Sequence, residues 1–385
     1  MTYAHRPAVH DADSHLMEGL DWLRDHADPA TRELLPDLST LLGSAGAGAD
    51  KAIVAGKARI ADAERTAELE QDVITSAKGW MAIGAMDTAE RSRALDQLGF
   101  ASQLVFYTFS LGLFAFSDDL DAVYGGATAH NRMVSSFCGD DGRLLPVGFL
   151  PLNDPDRSLA ALDEALELGC RAMWVAHAAT GGRSPAHVEN DPVWSAVQDA
   201  GVPVVMHIGG GRSQISKAWH RNGRPRPTDL HGGGENLRAK DLPAVHHAAE
   251  IFLSCMILDG VFERFPDLRC GAIELGAAWA PSLMARLDYA LKSFSKSEPM
   301  LGELSLRPSE YIRRQVRFTP FPGEDVASLV ADTGPELYLF SSDYPHPEGT
   351  RDPIGKFERS FDERGIDEAA RQRFYEDNYR QLVGI

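Results

Sequence analysis

What the sequence lacks narrows the field first. No run of about 18 apolar residues occurs, so no helix is expected to span a bilayer. The opening MTYAHRPAVHDAD has no apolar h-region, so no secretory leader is read and the chain is expected to be cytoplasmic. The four cysteines (Cys138, Cys170, Cys255, Cys270) form no CxxC pair and read as buried free thiols of a reducing compartment. GxSxG, HExxH and Walker patterns are missing, which sets aside three common catalytic frameworks. Positive charge is scarce. With 38 Lys and Arg against 56 Asp and Glu the net charge is −18, and nucleic acid or an anionic membrane would be repelled.

What is present is a chain of 385 residues with 44% apolar and 24% charged side chains, the balance of a soluble globular protein. Short apolar runs recur at 8–13, 102–108, 144–152, 170–176, 203–208, 268–275, 316–321 and 337–345. Segments of helical period lie between several of them, such as 156–169 and 194–201, each ending on a glycine. Near-continuous apolar strands alternating with helices indicate a parallel sheet buried on both faces. Eight such strands predict an α/β fold, a (β/α)8 TIM barrel in one domain over 1–385. A long helical insertion (19–100) is expected after strand one, and a Gly-, Pro- and Arg-rich lid-like loop (209–240) after strand five.

In such a barrel the chemistry sits at the C-terminal ends of the strands. Strand one ends in the stretch DADSHLME, with Asp13 and His15 on one strand face and Glu18 close behind. Strand five ends in His207 after the apolar PVVM. Strand six carries Glu274 between Ile273 and Leu275, and strand eight leads into Asp343 and His346. Each has a plainer explanation alone: His207 as a hydrogen-bonded core histidine, Asp343 as a helix cap. Glu274 is harder to dismiss, because a carboxylate in a buried strand needs an Arg, a proton or a metal. Four metal-competent strand ends in one barrel point to a bound metal.

The stretches DADSHLME, PVGFLPLNDP, ALELGCRAMWV, VVMHIG, GVFERFPDLRCGAIELGAAWAPSLMARLDYA and FSSDYPHPEG together resemble the amidohydrolase-related family. That family includes aminocarboxymuconate-semialdehyde decarboxylase and γ-resorcylate decarboxylase, and the resemblance runs over nearly the whole chain. It implies metal ligands at Asp13, His15, His207 and Asp343, with Asp343 also shuttling a proton, and it implies a homodimer. One departure matters: Glu274 stands where the decarboxylases carry a catalytic His, ahead of Gly276, Pro281, Arg286 and Asp288. An imidazole donates a proton at neutral pH, whereas a carboxylate beside a cation stays ionised.

Asp13, His15, His207, Glu274 and Asp343 exceed the ligands of one catalytic zinc, so one or two divalent ions (Zn, Mn or Fe) are expected. Glu18, His177 and His246 are second-tier ligand candidates, although His246 and His247 equally suit a helix start. Arg212, Lys217, Arg221, Arg224 and Arg226 form a basic island. It is either a solvated loop or a lid in which Arg212, Arg224 and Arg226 grip an anionic or acyl substrate. The reading is a metal-dependent hydrolase or carbon–carbon lyase acting on a small organic acid or acyl compound, with Asp343, Glu274 and His346 catalytic. The alternatives are a non-haem di-iron oxygenase on the same barrel and a metal-stabilised protein without turnover.

Overall fold

The computed structural model describes residues 2–42, 46–211, 215–225 and 237–385. Seven strands form one parallel sheet in the order β1 to β7: His10–Leu16, Ser102–Tyr107, Leu144–Phe149, Ala172–Trp174, Val204–His207, Cys270–Ile273 and Val316–Phe318. Every strand residue is buried. That explains why these segments read as apolar runs rather than as alternating ones.

The eighth expected strand, 337–345, is not a regular one. It makes isolated parallel bridges, Phe318 to Tyr338 on the β7 side and Ser14 to Tyr344 on the β1 side. Backbone hydrogen bonds follow the same path, from Leu339 N to Phe318 O at 2.9 Å and from His15 N to Tyr344 O at 2.7 Å. The segment thus runs between the two edges of the curled sheet, as in a TIM-like barrel. Its ladder fails because Asp343 sits in the left-handed region, at φ 52°, where an extended strand cannot continue.

Helices connect the strands. Pro155–Glu167 opens on Asp154, whose carboxylate accepts from Arg157 N, and Asp191–Ala200 closes on left-handed Gly201. Between β1 and β2 lie six α-helices among the described residues, the longest being Gly46–Ile60. All four cysteines are free thiols, and no described helix is long and apolar enough to cross a membrane.

Candidate metal centre

The pairing register of β1 against β2 shifts between Asp11 and Ser14, so Asp13 lies inside a bulge. Bulges re-aim side chains, and this one turns Asp13 toward His207. Asp13 Oδ1 lies 3.2 Å from His15 Nε2 and 3.1 Å from His207 Nε2. Glu274 Oε2 is 3.2 Å from His207 Nε2 and 3.8 Å from His15 Nε2. Asp343 Oδ1 is 3.6 Å from His15 Nε2 and 2.8 Å from His346 Nδ1. The donors fall into two groups that share His15: Asp13, His15, His207 and Glu274, then His15, Asp343 and His346. Within each group all ligand atoms lie within 4.8 Å of one another.

The far side of each imidazole fixes its tautomer. His15 Nδ1 meets Tyr107 O at 3.0 Å, and His207 Nδ1 meets Ile208 O at 3.0 Å, so both carry the proton there. The Thr108 hydroxyl donates to Leu16 O and therefore accepts from His346 Nε2 at 3.0 Å. In all three rings the nitrogen that turns inward is then a lone pair facing carboxylate oxygens. Lone pairs facing lone pairs repel unless a proton or a metal cation lies between them. Asp13 Oδ2, His15 Nε2, Asp343 Oδ1 and His346 Nδ1 are buried and make no well-directed hydrogen bond. This donor set fits a divalent transition metal, whose histidine ligands are held from behind in this manner.

Without a metal, burial and the neighbouring charges decide which of these groups ionise. Burial and then the Asp13 charge push the Asp343 carboxyl up to about 8. Burial and then His346 bring His15 down to about 4, and burial brings His346 down to about 3. Burial also opposes ionisation of Asp13, but His207 and His15 outweigh it and hold Asp13 below the usual carboxylate range.

Two of the carboxylates sit on left-handed backbone. Glu274 and Asp343 both adopt φ 52°, a region that Asp tolerates and that strains Glu. The Glu274 amide donates to Thr319 Oγ1 at 2.8 Å, which fixes that turn. Asp343 is fixed through Asp11. The Asp11 carboxylate accepts from Ser342 N at 2.8 Å, Ser342 Oγ at 2.6 Å and Gln103 Nε2 at 2.7 Å. Gln103 in turn takes Arg91 Nη1, and Arg91 also donates to the carbonyl of His15. Asp11, Gln103 and Arg91 were not singled out in the sequence, although Asp11 stands two residues before Asp13.

Aromatic rings close the other side. His207 stacks on Phe106 with centroids 4.3 Å apart and tilts against Trp174 at 4.8 Å. A Cβ at Gly210 would lie 2.5 Å from Trp174 Nε1, and one at Gly211 would lie 2.5 Å from His177 Nε2. A side chain at either position would have to displace the Trp174 or His177 ring.

The second-tier candidates stand elsewhere; neither donor group contains Glu18, His177 or His246. Glu18 Oε1 instead accepts from the amides of Thr108, Phe109 and Ser110 and from Ser110 Oγ, bracing the turn after β2. His177 is buried beside Gly211, and burial, then His207, lowers it to about 3. His246 lies parallel to Trp279 at 5.4 Å, in the wall of a cavity of about 830 Å³. Asp13, Glu274 and Asp343 line that same cavity.

Among the described residues, the Arg and Lys side chains lining this cavity are Arg238 and Lys356. Glu348 lies within electrostatic reach of both Asp343 and Arg238. Arg224, expected to grip substrate, is exposed and is not among the residues lining the cavity; its amide donates to Asn222 Oδ1. Arg212 and Arg226 lie outside the described residues. Arg238 closes the same Arg-rich segment, and its place just before a helical stretch is the signal that would have found it.

The amidohydrolase family model matches residues 11–385. The chain belongs to the amidohydrolase family. No curated protein matches it. Among solved structures, this amidohydrolase is similar to one from Mycobacterium avium subsp. paratuberculosis K-10, at 22% identity and TM-score 0.73, over 99% of this chain and 100% of that one. It is similar to 5-carboxyvanillate decarboxylase from Sphingomonas paucimobilis, at 18% identity and TM-score 0.62, over 99% and 100%. A third similar structure is dihydroxybenzoic acid decarboxylase from Polaromonas sp. JS666 with bound manganese and 2-nitroresorcinol, at 16% identity and TM-score 0.62, over 98% and 97%. At these identities the likeness is one of fold.

Proposed function

We propose that this amidohydrolase is a divalent-metal-dependent hydrolase or carbon–carbon lyase acting on an organic acid or acyl compound. The observation that carries the reading is the set of inward lone pairs on His15, His207 and His346 opposite Asp13, Glu274 and Asp343. A metal held there by these side chains would polarise a substrate oxygen or activate water. Manganese is the first choice, since it is bound in the Polaromonas decarboxylase structure. Asp343, next to His346 and facing the cavity, is the group that moves a proton through Oδ1. Glu274 acts as an anionic ligand, not as an acid.

A second reading, a dinuclear iron oxygenase, has one observation in its favour. Two donor groups sharing His15 offer more ligands than one catalytic metal needs. The comparisons with known proteins lend it no support.

One experiment separates the two. Chelator-treated protein is reloaded with manganese, zinc or ferrous iron and supplied with aromatic acids, esters and amides, with and without dioxygen. We expect dioxygen-independent release of carbon dioxide or of free acid that stops on chelation. Turnover that survives metal removal sinks the proposal, and turnover that requires two irons and dioxygen replaces it with the second reading.

A further inference from the structure

The cavity above the donors says more about the substrate than the donors do. Its volume of about 830 Å³ lies high in the ~300–1,000 Å³ range of sites that enclose drug-sized ligands. The two decarboxylases named above are named for single-ring acids. A single ring would leave most of this cavity to water.

The walls are poor company for that water. Leu242, Pro243, Leu275, Trp279, Phe321 and Pro322 supply apolar surface. Several polar groups among them are already committed. The Glu324 carboxylate accepts from the amides of Phe321, Ala277 and Ala278 at 2.8, 2.9 and 3.0 Å. Trp279 Nε1 donates to the carbonyls of Leu275 and Gly276. Thr319 Oγ1 accepts from the Glu274 amide, which leaves its O–H proton to offer. Hydroxyl groups scattered over a ligand ring would therefore find few partners on this wall, and an apolar body would displace water from it.

Resting on the proposed function, we propose that the substrate is an amphipathic acid: one acidic or acyl head at the donors and an apolar body larger than a single ring. Fused bicyclic and biaryl acids represent the class. The body lies against Trp279 and Phe321.

The test is binding, so that it does not depend on finding the reaction. Manganese-loaded protein is titrated calorimetrically with benzoate, 2-naphthoate and 4-phenylbenzoate. Each step up in apolar area should tighten binding by about tenfold, because burial free energy scales with the apolar area removed from water. Ala278→Phe, which fills the cavity, should lower the ratio of naphthoate to benzoate affinity. A flat series, a preference for benzoate, no binding by any of the three, or an unchanged ratio in the variant overturns the inference. Manganese uptake, counted on the same sample, judges the metal-dependent reading separately.

Discussion

The C-terminal end of the sheet has two unlike halves. β1, β5, β6 and the segment before Asp343 end in carboxylates and imidazoles, and Glu274 and Asp343 both sit on left-handed backbone. β2, β3 and β4 end instead in Phe106 and Tyr107, Phe149 and Trp174; Phe106 and Tyr107 pack on Trp174, and Phe106 and Trp174 pack on His207. Tyr107 stacks on Trp174 at 5.0 Å, and His130 meets Tyr107 edge-on at 4.2 Å. The donor half is unfavourable without a cation, because buried charges there face their own kind. The aromatic half supplies the packing that keeps the donors from relaxing apart. Chemistry and rigidity are thus divided between neighbouring strands of one sheet.

The largest way to break this division is His207→Ala. The ring belongs to the donor half but is clamped by the aromatic one. Its loss should abolish turnover and weaken metal binding by more than the ~10–100-fold that an outer-shell partner costs, while circular dichroism stays native. Retained activity would remove His207 from the centre.

Phe106→Ala strikes the other half. It opens a cavity behind His15 and His207 and should cost about 3–5 kcal/mol of stability in denaturant unfolding. Metal affinity should fall too, as the rings lose their backing. A large stability loss with unchanged metal affinity would show that the halves are independent.

These two halves were unequally legible in the sequence. Asp13, His15, His207, Glu274 and Asp343 stand out because polar residues ending apolar runs break a local pattern, and the structure brings them together. Phe106 and Trp174 do not stand out, since an aromatic residue in a buried strand is what any core would contain. Asp11 was hidden for a similar reason, its partners Gln103 and Ser342 lying 92 and 331 residues away. The regular eighth strand was expected from the apolar LYLF run, and only backbone geometry at Asp343 shows why its ladder breaks. Arg224 drew notice by belonging to a basic cluster, yet lining a cavity is a matter of loop path, which composition does not encode.

pH sharpens the comparison for metal-free protein. His130 and His177 lie outside the donor groups, and burial lowers each from 6.5 to about 3. The unfolded chain takes up those protons near pH 6.5 and the fold does not. Their contribution is therefore complete above pH 6.5 and is lost as pH falls toward 3, on the order of 1–2 kcal/mol each by pH 5. Asp343 works in the opposite direction. Its folded value, about 8, exceeds the unfolded 3.8, so the fold loses stability as pH rises between the two. Manganese should remove the alkaline loss and leave the acid one in place, as read from denaturation midpoints between pH 5 and 8.5. An acid loss that vanishes with metal would assign it to the donors instead.

The smallest effect concerns the basic residues. Arg238→Gln should raise KM for an anionic substrate severalfold with little change in kcat, as loss of uniform binding does, whereas Arg224→Gln should leave KM unchanged. The reverse order would return the substrate grip to the exposed part of the loop.

A count of bound metal tests the centre most directly. Chelator-treated native protein and its Asp13→Ala variant are each equilibrated with manganese, freed of loose ion by gel filtration and analysed for bound metal. The native chain should keep at least one manganese and the variant almost none, with both folded. A native chain that keeps no metal, or a variant that keeps as much as the native one, would contradict a metal centre built from these strand ends.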